Sequence, residues 1–258
     1  MMPAQNRFQR LPVVPATRIA LWRVGAITCA LLMTAGILAL SGYSPIDLAW
    51  LVVRSTIGSR FGMEDLALFM SPLLLTGAAV TVCSRIGLWN IGAEGQFYAG
   101  AIGAAAVGLF VPAPAIVLLP LMAVAGVLAG MGWIAVPTLA RAYAGVNEII
   151  TTLLLNFVAS LLTYYLTTGP WRDRVTGAQV SSARLPVSIP ELWGVVHWGF
   201  PLGLAIVGIL AWVMAHTRWG YEIRIGGANP DAARYAGIAV RARIIAVMLL
   251  SGGLAGLA

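Results

Sequence analysis

TRWGYEIRIGGANPDAARYAGIAVRAR, Thr217–Arg243, is the longest charged interval in a chain that is otherwise mostly hydrocarbon. A complete short helix is written inside it. Asn229 is a good N-cap, and Pro230 follows at the first helical position, where a missing N–H costs nothing. Asp231 falls in the first turn, facing the positive end of the helix dipole. Ala232, Ala233, Arg234, Tyr235 and Ala236 tolerate a helix, and Gly237 is placed to close it. Two turns of helix are not stable alone in water, so something must pack against this one. Apolar segments flank it on both sides, which puts it at a membrane surface with a face to offer a partner.

Composition sets the class. The 258 residues are 60% hydrophobic and 10% charged, against about 25% charged in soluble domains. The fold expected is all-α: a polytopic transmembrane helical bundle, a single transmembrane domain over 1–258. The net charge is +7, and all 16 basic residues are arginines scattered between apolar runs. That scatter orients a chain in a lipid bilayer and does not form a nucleic-acid surface. Cys29 and Cys83 lie in apolar runs and read as small buried hydrophobes, so neither a disulfide framework nor a metal site is indicated.

Outward from Thr217–Arg243, uncharged intervals mark the spans. Residues 1–23 form an arginine-bearing tail, and Val24–Leu40 is the first span. Its 17 residues exceed the apolar region of a signal peptide, and no small-residue cleavage site follows. Pro45–Arg60, with Asp47, Arg54 and Arg60, belongs to the interface or a short loop. Leu66–Ser84 is the second span. Gly95–Ala140 is uncharged for 46 residues, enough for two more, with VPAPA (Val111–Ala115) as the turn between them. Ile149–Trp171 is the fifth, Gly169–Phe200 a long proline-bearing connection, and Pro201–Thr217 the sixth. Six spans thus occupy 24–216, and 217–243 is a loop. Residues 244–258 begin a seventh span that reads as incomplete: 15 residues give about 22 Å of helix against a core of roughly 30 Å. The chain therefore reads as truncated at its C-terminus. Its last residues, SGGLAGLA, suit tight helix packing.

With a cytoplasmic N-terminus, eleven arginines (7, 10, 18, 23, 85, 141, 218, 224, 234, 241 and 243) fall inside, and Arg54, Arg60, Arg172, Arg174 and Arg184 outside. That division obeys the positive-inside rule and places the Asn229–Gly237 helix in the cytoplasm.

Two polar stretches interrupt the hydrocarbon. In Arg85–Gln96, Gly87, Gly92 and Gly95 loosen the backbone while Asn90, Glu94 and Gln96 are polar. A carboxylate at bilayer depth costs at least about 2.5–3.5 kcal/mol. Glu94 is therefore expected to face a cavity, sit at the interface, or pair with a cation such as Arg85; an ordinary cytoplasmic turn is the plainer alternative. In Gly145–Asn156, Glu148, Thr152 and Asn156 fall at i, i+4 and i+8, a polar stripe that should point into the bundle or a water-filled path. Interhelical hydrogen bonding that only holds the bundle together would also produce it. His197 and His216 stand isolated, without partners at ligand spacing. Neither P-loop, nucleophile elbow nor zinc motif occurs, which argues against an enzyme.

Three blocks together resemble one family. GLWNIGAEGQFYAG (Gly87–Gly100), GVNEIITTLLLNF (Gly145–Phe157) and GYEIRIGGANPDAARYAGI (Gly220–Ile238) are similar to the permease subunits of ATP-binding-cassette importers, in the nucleoside and simple-sugar branch of the sugar/branched-chain amino acid group. The resemblance implies a multi-pass protein of the bacterial inner membrane. Implied partners are two cytosolic ATPase subunits or domains, a second permease chain, and an extracytoplasmic solute-binding protein or lipoprotein. No cofactor is expected on this chain, because ATP and magnesium belong to the ATPase. The segment with Gly227, Asn229, Pro230, Ala233, Arg234, Tyr235 and Gly237 resembles the coupling helix that docks on that ATPase. Asn90, Glu94, Gln96, Thr152 and Asn156 are the expected contacts for a hydroxylated solute. An ion-coupled secondary transporter is the alternative reading, weakened by the absence of a visible internal repeat.

Overall fold

The computed structural model describes residues 15–175 and 180–258. Arg7 and Arg10 of the expected N-terminal tail lie outside the described residues, as does the 176–179 portion of the long connection. The chain divides into two units, at Met63/Glu64.

In the first unit, α1 (Ala16–Leu40) is followed by α2 (Pro45–Thr56). Helix α1 starts eight residues before Val24, so Arg18 and Arg23 ride on it; arginine is a good helix former. Cys29 is exposed on this helix, unlike the buried cysteine expected. Ser44 accepts the Asp47 N–H at 3.3 Å and Pro45 takes the first turn, which makes the interfacial segment a helix and not a loop. Helix α3 (Arg60–Arg85) begins in this unit and continues into the second.

The second unit holds the rest of α3, then α4 (Ala93–Phe110), α5 (Ala115–Ala144), α6 (Glu148–Thr168), the hairpin strands β1 (Glu191–Trp193) and β2 (Val196–His197), α7 (Gly199–His216), α8 (Arg218–Ala228), α9 (Pro230–Tyr235) and α10 (Val240–Leu257). Helix α5 lies along both α4 and α10, and α4 also touches α6. The α5–α10 seam has a glycine face on each side. A Cβ on Gly252 would sit 2.7 Å from the Gly130 carbonyl oxygen, and one on Gly126 the same distance from that of Gly256. Gly100 of α4 abuts Gly256 as well. In lipid, where apolar burial drives nothing, such small residues let backbones close and dispersion hold them. Where α3, α5, α8 and α10 meet, Val82, Ile86, Ile134, Ile223, Val247 and Met248 form the principal buried cluster.

Among the described residues, six helices are long and apolar enough to cross a membrane: α1 from Thr17, α3, α5, α6, α7 and α10. Helix α4 is not among them, because its 18 residues carry Glu94 and Gln96 in their first turn. The 24–216 stretch thus contains five qualifying helices where six spans were expected. Helix α6 stops at Thr168; Trp171 lies beyond it, edge-to-face with Phe110 at 5.8 Å. Helix α10 starts at Val240, four residues before Ile244, so Arg241 and Arg243 are helical and its 18 residues reach about 27 Å. The two-stranded hairpin in the long connection was not foreseen. Gly194, at φ +55, supplies its turn.

Candidate functional site

The polar stripe on α6 does point into the unit, and its target is the turn before α4. The Trp89 N–H donates to Glu148 Oε1 at 3.4 Å, Asn156 Nδ2 donates to the Ile91 carbonyl at 2.9 Å, and the Gly95 N–H donates to Asn156 Oδ1 at 2.9 Å. Asn156 thereby satisfies one of the orphan N–H groups of the α4 N-terminus from another helix. Thr152, buried between them, donates to the Glu148 carbonyl at 2.7 Å. The glycines of this turn serve that approach. A Cβ on Gly92 would stand 2.7 Å from Thr152 Cβ, and one on Gly95 2.7 Å from Asn156 Oδ1. Only Gly87 of the three adopts a positive φ, +77.

Behind the turn lies a closed amide network. Asn90 and Gln96 exchange two hydrogen bonds, 2.8 and 2.9 Å, and Asn90 Nδ2 also donates to Ser251 Oγ at 2.8 Å. The Ser251 hydroxyl donates to the Ala79 carbonyl at 2.7 Å, and the Gly92 N–H donates to Asn90 Oδ1 at 3.0 Å. Asn90 is 2% exposed and Gln96 1%. Both are therefore sealed in this conformation, with their polar atoms used. Ser251 went unnoticed because it sits in an apolar segment 161 residues away; a hydroxyl among small residues was the available signal. Asn90→Ala leaves Gln96 and Ser251 short of partners, and we expect a loss of about 1–3 kcal/mol in detergent thermal unfolding. A midpoint equal to the parent's would show that the network contributes nothing.

Glu94 is exposed and, among the described residues, forms no ion pair, so Arg85 is not its cation. Glu148, by contrast, is buried and paired with Arg141 Nε at 3.3 Å across the Gly145 turn. Of the five residues expected along a solute path, Glu94 is exposed, Asn156 half-buried, and Asn90, Gln96 and Thr152 buried.

The short helix in Thr217–Arg243 forms as its caps require. Asn229 Oδ1 accepts the Asp231 and Ala232 N–H groups at 3.1 and 3.0 Å. Gly237, at φ +79, closes the other end, with Gly237 N–H to Arg234 O and Ile238 N–H to Ala233 O, both 3.0 Å. Its faces differ. Ala233 is fully buried and Gly227, half-buried, presses on the Arg85–Ile86 backbone, so both pack within the chain. Asp231 and Arg234, joined at 2.9 Å, are exposed, and Tyr235 is 98% exposed. Helix α8 was not foreseen, although Thr217 caps it by accepting the Gly220 N–H at 3.2 Å. Arg243 of α10 binds Glu222 of α8 at 2.6 Å, Arg224 donates to the Met214 carbonyl at 3.1 Å, and Arg241 lies 5.0 Å over the Tyr143 ring. The short helix is thus carried on a braced platform.

His216 stacks on Trp212 at 5.8 Å, and His197 lies in β2. No group of His, Cys, Asp and Glu among the described residues is arranged to hold a metal ion.

Residues 62–258 match the family described as the branched-chain amino acid transport system permease component. A glucose ABC transporter permease protein of Haloferax volcanii is 39% identical over 83% of this chain and 60% of its own length. A guanosine ABC transporter permease protein of Bacillus subtilis is 32% identical over 90% of this chain and 68% of its own. A nucleoside ABC transporter permease protein of Lactococcus lactis is 31% identical over 93% and 70%. The chain thus spans 60–70% of the length of these relatives. No solved structure matches it.

Proposed function

The chain belongs to the permease family of the branched-chain amino acid transport system, in its nucleoside and simple-sugar branch, and from that premise we propose that it is the membrane subunit of an ATP-driven importer for a sugar or nucleoside. The observation that carries this is α9: a short helix capped at both ends, braced from behind, with Tyr235 standing free on its outer face. A surface of that kind suits docking by a cytosolic ATPase, which would hydrolyse ATP where this chain does not. A second permease chain and an extracytoplasmic solute-binding protein or lipoprotein complete the assembly. The arginine distribution supports a cytoplasmic N-terminus and inner-membrane placement.

Transport proceeds by alternating access, with closure of the ATPase dimer moving α9 and thereby the helices behind it. The solute path runs along α4 and α6. Glu94 and Asn156 have surface to offer a hydroxylated solute, while Asn90, Gln96 and Thr152 form the wall behind them. The test is reconstitution of the chain with a partner ATPase and binding protein in proteoliposomes. We expect uptake of sugar or nucleoside that requires ATP hydrolysis. Uptake driven by an ion gradient without the ATPase would reject the reading.

A further inference from the structure

We infer that the groove between α3 and α7 seats an anionic phospholipid of the leaflet beside α8, with an acyl chain along the groove and the phosphate on Arg85 and Arg224. The inference goes beyond the importer reading and needs only the chain's place in a membrane. The groove measures about 630 Å³. Leu73 and Gly77 of α3 and Leu210 and Ala211 of α7 belong to its apolar wall, and the two arginines are the charged side chains on it among the described residues.

Glycines show where the groove opens. A Cβ on Gly203 of α7 would stand 3.7 Å from the Ser71 carbonyl oxygen, so the two helices run close there. Further along α3, a Cβ on Gly77 would meet nothing within 4 Å. From Leu73 to Arg85, α3 rises about 18 Å, close to half of a roughly 30 Å hydrocarbon core. A slot of that depth takes one acyl chain from the membrane surface to mid-bilayer. The Thr81 hydroxyl on the wall donates to the Gly77 carbonyl at 2.7 Å, so below the arginines the slot presents hydrocarbon.

The charge sits at one end. Gly227 of α8 presses on the Arg85–Ile86 backbone, and Arg224, one turn earlier on α8, comes to the same rim as Arg85. Both arginines are exposed, and neither forms an ion pair among the described residues. Arg224 Nη1 donates to the Met214 carbonyl at 3.1 Å, and Glu222, the acid on α8, is paired with Arg243. Two guanidinium groups at the mouth of an apolar slot call for an anion with a hydrocarbon tail. A membrane supplies one: the phosphate of a lipid, which guanidinium binds through a fork of two N–H groups. Free phosphate would use the arginines and leave the slot empty, whereas an anionic phospholipid uses both. Basic pockets between transmembrane helices are known to take such headgroups.

Native mass spectrometry of the chain purified in detergent tests this, with dioleoylphosphatidylglycerol, dioleoylphosphatidylcholine and glycerol 3-phosphate as probes. We expect a single phosphatidylglycerol to be retained per chain in preference to phosphatidylcholine, and glycerol 3-phosphate not to be retained. Arg85→Gln should weaken phosphatidylglycerol binding about tenfold, the loss of a charge-assisted hydrogen bond. Gly77→Leu fills the slot where nothing lies near a Cβ, and should weaken it similarly at unchanged stability in lipid-free detergent. In cell membranes, a photo-reactive benzoylphenylalanine in place of Ala211 should cross-link to phospholipid. Unchanged affinity in Arg85→Gln overturns the headgroup contact, and unchanged affinity in Gly77→Leu overturns the acyl slot. Glycerol 3-phosphate held as tightly as the lipid would make this a site for soluble anions, and a cross-link from position 211 to protein would show a helix covering the groove. Either result overturns the lipid site.

Discussion

In a Tyr235→Ala variant, ATP-driven uptake by the assembled complex falls at least about tenfold while the chain reaches the membrane at its normal level. The side chain is 98% exposed, so its removal takes nothing from the chain's own packing. The helix that bears it survives, because Asn229 and Gly237 cap it independently of Tyr235. Tyrosine is among the residues that dominate protein interfaces, where truncation costs about 2 kcal/mol or more at a central position. The contrast is Ala233→Arg. Ala233 is fully buried, so an arginine there disrupts the seat of α9 within the chain and lowers the amount of folded protein. Solute-stimulated ATP hydrolysis and membrane content, measured together, separate the two. Full coupling in Tyr235→Ala would mean that the partner does not read this face.

The second large effect is on stability. Gly130→Leu is expected to lose at least about 3 kcal/mol in detergent unfolding, the upper part of the usual overpacking range. A Cβ at Gly130 would run into the Gly252 carbonyl and lie 2.8 Å from Gly256 Cα, and backbone cannot step aside as a side chain can. Gly77→Leu is the control, since nothing lies within 4 Å of a Cβ built there. Equal stability of the two variants would refute the close α5–α10 seam.

How much of this was legible in the sequence differs from feature to feature. The capped helix at Pro230 was readable to the residue, because N-cap, proline and αL glycine are local signals. The stripe of Glu148, Thr152 and Asn156 was readable as a face, because helical spacing alone decides it. Its partner was not: the 89–95 turn is 59 to 61 residues away and identified only by tertiary contact. The same limit left Arg85 open as one possible partner of Glu94, which is exposed, while folding joins Glu148 to Arg141. Ala233 had been placed on the docking face because helix-tolerant residues carry no sign of which side they turn inward. Helix α8 escaped because its glycines and charges argue against a helix, while its buried stripe of Gly220, Ile223 and Gly226 appears only once there is something to pack on. The helix starts at Ala16 and Val240 were missed for a simpler reason. A charge does not end a helix: Arg18 and Arg23 lie within the first turns of α1, and Arg241 and Arg243 within the first turn of α10.

Helix α10 has a consequence of its own. Arg243 ties its first turn to α8, Ser251 joins the sealed amides in mid-course, and Gly252 and Gly256 interlock with α5. These contacts hold the helix both at its first turn and along its C-terminal half. A displacement of its first turn is therefore carried through one continuous helix to the glycine seam with α5.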